Sequence, residues 1–120
     1  MKPNSIINVL GVNCELDYEE KFNKWYNEIH VPMVMKFKGV KRVTRFKVIK
    51  PSKQSCVKAT RGGYPNYLLI SEFENEQVFE DYEASPELAE AMKETNETWA
   101  NGGIERVWRV QYKGLKTWEQ

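Results

Sequence analysis

The chain has 120 residues, 41% hydrophobic and 29% charged with only five prolines. Those values describe one folded domain around one core and exclude a disordered chain. A formal net charge of +1 supplies no reason for a nucleic-acid or other polyanionic partner.

Ile6 to Val12 is rich in β-branched residues and is expected to form the first strand. Ile6, Asn8, Leu10 and Val12 share one face, and Ile7, Val9 and Gly11 share the other. Asp17, with Glu20 three residues later, has the spacing of a capping box. The helix that follows carries a stripe of Phe22, Trp25, Tyr26, Ile29, Met33 and Phe37 at intervals of three and four. Pro32 has no N–H and is expected to bend or interrupt this helix near His30. Gly39 is placed to end it.

Val40 to Ile49 reads as the second strand, and Lys50 to Pro65, with its prolines and glycines, as a long connection. Asn66 to Phe73 alternates as a third strand, with Tyr67, Leu69, Ser71 and Phe73 on one side. Val78, Phe79 and Tyr82 open a helical stripe. Ser85-Pro86 restarts it as cap and first turn, and Leu88, Met92 and Trp99 continue it. After Gly102-Gly103, Ile104 to Tyr112 gives a fourth strand. Strict alternation sets Ile104, Arg106, Trp108, Val110 and Tyr112 against Glu105, Val107, Arg109 and Gln111. No repeat or second domain is visible, so residues 1–120 are read as a single domain.

The order β-α-β-β-α-β is the split βαβ pattern of a ferredoxin-like α+β sandwich. All four strands carry apolar residues on both sides. Helices cover one side of such a sheet, and a second copy packed on the other would bury the rest, so a homodimer is expected. Between Lys36 and Arg61 lie ten basic residues and no acidic one. Between Glu72 and Glu97 lie ten acidic residues and one basic, Lys93. These are either two solvated faces or complementary patches that steer self-association.

Cys14 and Cys56 form no CxxC pair and no disulfide framework. The apolar run Ile6–Val12 is too short for a signal-peptide core or a membrane span. Asn96-Glu97-Thr98 matches a glycosylation sequon, which is expected to be a chance match because no secretory signal is expected. The expectation is a reduced, cytoplasmic protein with no membrane partner.

The stretch Phe22-Asn23-Lys24-Trp25-Tyr26-Asn27-Glu28-Ile29-His30-Val31-Pro32, with Lys38-Gly39-Val40, Thr44-Arg45-Phe46 and Tyr82-Glu83-Ala84-Ser85-Pro86-Glu87-Leu88, resembles the dimeric α/β barrel superfamily, in particular its EthD-like branch. The resemblance implies a ferredoxin-like sandwich forming a dimeric α/β barrel, with a cleft between sheet and helices. It also places His30 at the cleft-facing position of the first helix. The superfamily spans lactone isomerases, polyketide cyclases, monooxygenases acting on quinols or haem, and members without known activity, so it selects no reaction. One histidine in the whole chain does not suit schemes that need two, and no cofactor or metal cluster is implied.

The candidate catalytic residues are His30 and Tyr26. A neutral imidazole accepts and returns protons near pH 7, and the Tyr26 hydroxyl, four residues earlier, could orient it or meet a developing oxyanion. The alternative for His30 is a tether at the Pro32-bent helix end. Trp25, Arg45, Tyr67 and Arg109 are candidate ligand-binding residues: the arginines for a carboxylate or phenolate, the aromatics as pocket walls. The alternatives are salt bridges and core packing. Cys14 lacks a base to activate it, and Arg61-Gly62-Gly63 lacks the lysine and spacing of a phosphate loop. The expected function is a small-molecule enzyme or binder for an oxygenated aromatic or lactone-like ligand. If it is an enzyme, His30 would drive acid–base isomerisation or cyclisation. A cofactor-free monooxygenase and a non-catalytic dimeric binding or stress-associated protein are the alternatives.

Overall fold

Four stretches rich in β-branched and aromatic residues pair into one antiparallel sheet: β1 (Ile6–Cys14), β2 (Arg42–Lys47), β3 (Tyr67–Phe73) and β4 (Ile104–Lys113). The structure is a computed structural model and describes residues 1–49 and 64–120. The connection expected over Lys50–Pro65, with Cys56 and Arg61-Gly62-Gly63, lies outside the described residues except for its last two. Helices α1 (Glu19–Trp25) and α2 (Val31–Val34) follow β1, and α3 (Glu76–Glu83) and α4 (Pro86–Thr98) follow β3. The expected β-α-β-β-α-β order is therefore present.

The expected barrel is not. The strand order is β2-β3-β1-β4, an open sheet. β2 pairs with β3 and β4 with β1, leaving β2 and β4 as the two edges among the described residues. Two intervening strands hold those edges roughly 14 Å apart, at about 4.8 Å per strand. Closure would require them to meet with matched tilt and shear.

The helices cover one face of this sheet. Ile6, Val34, Phe73, Phe79, Tyr82 and Ala91 form one core cluster. Val12, Phe22, Trp25, Tyr26, Tyr67 and Trp99 form the other. Side chains such as Phe22 and Phe73, fully buried, typically cost about 3–5 kcal/mol when cut to alanine.

The start of α1 departs from the sequence reading. Leu16–Tyr18 is a 3₁₀ turn, α1 begins at Glu19, and Tyr18 at its N-cap makes no side-chain bond, so Asp17 does not cap the helix. Between α1 and α2 the helix widens into a π-helical turn over Tyr26–His30. Pro32 cannot donate to a carbonyl one turn back, and its ring crowds that carbonyl. Widening the turn accommodates both faults without a break, and such π turns gather at functional sites. The turn also changes which side chains point inward. His30 and Val34 are buried, whereas Ile29, expected on the buried stripe, is 43% exposed. The helix ends at Val34, before Gly39. That glycine is required for close approach, since a Cβ there would lie 2.5 Å from both Phe37 and Val78.

The opposite face of the sheet is apolar, as expected. Its cross-strand rows are Phe46–Leu68–Gly11–Trp108 and Thr44–Ile70–Val9–Val110, with Ile7 and Tyr112 beyond. Gly11 lets Pro65 and Trp108 pack over the sheet, since a Cβ there would lie 2.8 Å from Pro65 Cγ and 3.1 Å from Trp108 Cε2. Phe46, Trp108 and Tyr112 remain 46%, 41% and 56% exposed.

Candidate functional site

The helix-facing side of the sheet is interrupted by a row of polar side chains. Ser71, Asn8 and Gln111 lie side by side across β3, β1 and β4, and Gln111 Nε2 donates to Asn8 Oδ1 at 2.8 Å. Buried polar groups are retained where they have partners or a purpose. Here Asn8 and Ser71 floor a cavity of about 140 Å³ between sheet and helices. Leu10, Leu69, Leu88 and Met92 supply its apolar wall, and His30, Tyr82, Arg106 and Arg109 supply its functional groups.

His30 reaches this cavity from the π turn and is held on three sides. Trp25 stacks on the imidazole with centroids 4.7 Å apart and planes at 24°. Tyr26 meets it edge-on at 5.2 Å. Thr95 Oγ1 on α4 lies 3.2 Å from Nδ1. The same hydroxyl donates its single proton to the Ala91 carbonyl at 2.7 Å. Its oxygen therefore accepts from His30, which assigns the proton to Nδ1 and leaves Nε2 with a free lone pair. The sealed side-chain atom without a partner among the described residues is Trp99 Nε1, not His30 Nε2.

Burial holds the His30 pKa down at about 4, with Arg106 pushing the same way and Glu94 opposing. Glu94 accepts from Trp25 Nε1 at 2.8 Å and from the Thr98 hydroxyl, so it braces the indole behind the imidazole. The Tyr82 phenol in the cavity wall is pushed up to about 12, chiefly by burial, with nearby Arg109 opposing and Glu83 adding. Near neutral pH the cavity thus presents a neutral imidazole, a neutral phenol and two guanidinium cations.

The six residues singled out from sequence divide between two places. His30 and Arg109 line the cavity. Trp25 and Tyr26 stand behind His30 instead of lining the cavity, and it is the Thr95 hydroxyl that orients the ring. Burial raises the Tyr26 phenol to about 12. Arg45 shares a cross-strand row with Leu69, Leu10 and Arg109, so the two arginines lie at opposite edges of the sheet and cannot grip one small ligand. Arg45 donates to Asn27 Oδ1 and Asn23 Oδ1, each at 2.8 Å, and its guanidinium lies 4.9 Å from the Tyr26 ring centre. Tyr67 accepts from Asn23 Nδ2 at 3.4 Å. Together they border a separate surface depression.

Sequence reading missed Asn8, Ser71, Tyr82, Thr95 and Arg106. Asn8 and Ser71 had left a signal, as lone polar residues on otherwise apolar strand faces. Arg106 had not. Alternation places it opposite Arg109, but a β-bulge between Gly11 and Val12 shifts the pairing from Leu10↔Arg109 to Val12↔Arg106 and skips Val107. Both arginines thereby face the helices, a known use of bulges beside functional sites. Among the described residues no group of three His, Cys, Asp or Glu side chains converges as a metal site, and no helix is long and apolar enough to cross a membrane.

A family pattern described as "Domain of unknown function (DUF4286)" matches residues 5–104. The chain belongs to that family. No curated protein matches it. Among solved structures, a dimeric protein of unknown function and ferredoxin-like fold from Bacteroides fragilis is 20% identical, with a TM-score of 0.59 over 92% of this chain and 97% of its own. An ethyl tert-butyl ether D (EthD) family protein of Bacillus halodurans is 8% identical, with a TM-score of 0.62 over 92% and 99%. A candidate antibiotic biosynthesis monooxygenase of Deinococcus radiodurans is 10% identical, with a TM-score of 0.63 over 96% and 97%. At these identities the likeness is one of fold. This DUF4286 domain shares the ferredoxin-like architecture of EthD-type proteins, and the barrel expected from that resemblance gives way to an open sheet.

Proposed function

We propose that this domain is a small-molecule enzyme in which His30 Nε2 acts as a general base on an oxygenated, ring-sized substrate, in an isomerisation or cyclisation. One observation carries the reading: the Thr95 hydroxyl, which donates to the Ala91 carbonyl, lies against Nδ1 of His30, so Nε2 is left as the basic nitrogen of a residue lining a partly apolar cavity. An imidazole with a pKa of about 4 stays neutral at pH 7 and is a weak base. It therefore suits an acidified proton, such as one on carbon beside a carbonyl or lactone, whose developing enolate is stabilised by nearby cations. Tyr82, kept protonated by burial, is a hydrogen-bond donor for the same oxygen.

The domain acts as a homodimer in this reading, joined through the apolar sheet face bearing Phe46, Leu68, Ile70 and Trp108. The dimeric relative from Bacteroides fragilis and the exposure of large apolar residues on that face support it.

Solvent deuterium exchange at the carbon beside the carbonyl, followed by proton NMR over a panel of lactones, cyclic enones and phenols, tests the base. His30→Asn keeps an amide N–H toward Thr95 and removes the basic nitrogen, so exchange should fall about a hundredfold or more. Unchanged exchange in a folded His30→Asn protein would end the catalytic role of His30. A panel member that binds without exchange would mark a binding protein instead. Oxygen uptake that depends on a phenolic panel member would favour the monooxygenase alternative.

A further inference from the structure

We infer that the ligand of the His30 cavity is a small organic anion, a carboxylate or enolate on a single-ring or similarly compact carbon frame, gripped by Arg106 and Arg109. This rests on reading the cavity as a ligand site and adds the charge and size of what enters.

The bulge in β4 is the starting observation. Residues 106 and 109 are three apart, so an unbroken strand would point them to opposite faces. Skipping Val107 brings both guanidinium groups to the helix-facing side, against one cavity. Among the described residues that line this cavity none is acidic. Arg106 donates from Nη2 to the neutral amide oxygen of Asn96 at 3.1 Å. Arg109 donates from Nη1 to Glu83 Oε2 at 2.9 Å, an exposed pair in which the carboxylate of Glu83 stays outside the lining. A guanidinium has five N–H donors, so each arginine keeps most of its fork for a further acceptor. Two forks beside a pocket match the two oxygens of a carboxylate.

Size follows from volume. A cavity of about 140 Å³ is close to the roughly 150 Å³ that holds benzene in an engineered protein core. One ring fits among Leu10, Leu69, Leu88 and Met92, with the anionic group at the arginines. The anion would then lie beside His30, where its charge favours the imidazolium and strengthens the base when the ligand is bound. A neutral ligand would leave Arg106, whose partner on α4 is the neutral amide of Asn96, facing the cavity without a counter-charge from the lining.

The chain has one histidine, so every imidazole NMR signal reports this cavity. Benzoate and its neutral isostere benzamide are titrated into the wild-type protein, into Arg106→Gln and Arg109→Gln, and into Arg42→Gln as a control for net charge on the opposite face. Benzoate should shift the His30 signals saturably and bind at least about tenfold more tightly than benzamide. Each cavity variant should weaken benzoate about tenfold, the scale of one charged hydrogen-bonded contact, while Arg42→Gln leaves it unchanged. Benzamide binding as tightly as benzoate, or equal losses in all three variants, would overturn the anion inference and leave the small-molecule site standing. If neither probe moves the His30 signals at millimolar concentration, both readings fall.

Discussion

Protonating His30 should destabilise the fold by an amount that can be worked from its surroundings. The imidazole is packed between Trp25, Tyr26 and Thr95. The charged or titratable groups around it are Tyr26 beside the ring, Glu94 on α4 and Arg106 on β4, with Tyr82 on α3 and Arg109 on β4 lining the same cavity. Its pKa falls from 6.5 to about 4 on folding. The unfolded chain therefore takes up a proton below about pH 6.5 that the folded chain refuses until about pH 4, and stability must fall as pH falls through that window. At about 1.4 kcal/mol per pH unit the loss reaches roughly 3 kcal/mol by pH 4 and then levels off. Urea unfolding midpoints at pH 7, 6, 5 and 4, at fixed protein concentration, measure it. His30→Asn serves as the reference, since carboxylate titrations common to both proteins cancel in the difference. Wild type should lose about 3 kcal/mol relative to His30→Asn between pH 7 and pH 4. A difference constant to within about 0.5 kcal/mol would refute the buried, neutral imidazole.

Thr95→Val removes the acceptor that fixes the tautomer, so exchange of a panel substrate should drop about tenfold and recover in Thr95→Ser. Trp108→Glu should convert a dimer to a monomer in sedimentation; a wild-type monomer, or an undisturbed dimer in the variant, would remove the sheet face as the interface. Ser85 Oγ accepts from Leu88 N at 3.1 Å and donates to the Tyr82 carbonyl at 2.7 Å. Ser85→Ala should therefore cost about 1–2 kcal/mol in urea unfolding. Tyr26 and Tyr82, both raised to about 12, stay protonated when folded while the unfolded phenols ionise near pH 10. Stability should thus fall between about pH 10 and pH 12, and Tyr82→Phe should make that fall shallower in the same assay.

Strand faces were legible because β1 and β3 alternate without interruption, and Ser85-Pro86 announced its helix start by chemistry alone. Three features were hidden, for separate reasons. An irregularity at Pro32 near His30 was expected, but not its form as a π turn over Tyr26–His30, and the three-and-four spacing therefore put Ile29 on the wrong side. The bulge at Val107 has no glycine or proline on β4 itself to mark it, so alternation split Arg106 from Arg109. The barrel expectation came from resemblance, and strand pairing overrode it: β2 and β4 are edges of an open sheet. Arg45 and Arg109 were both strand-interior cations in the sequence, and strand order alone decides that they stand at opposite edges. By contrast, Asn8 and Ser71 stand in the sequence as breaks in apolar strand faces, a signal of the cavity floor that was present but not taken up.

Long-range proton–nitrogen correlation NMR of the single imidazole at pH 7 reads its protonation directly. A proton on Nδ1 with a bare Nε2 is the predicted pattern. An imidazolium, or a proton on Nε2, would leave no lone pair for the cavity and would contradict the account of His30 as its base.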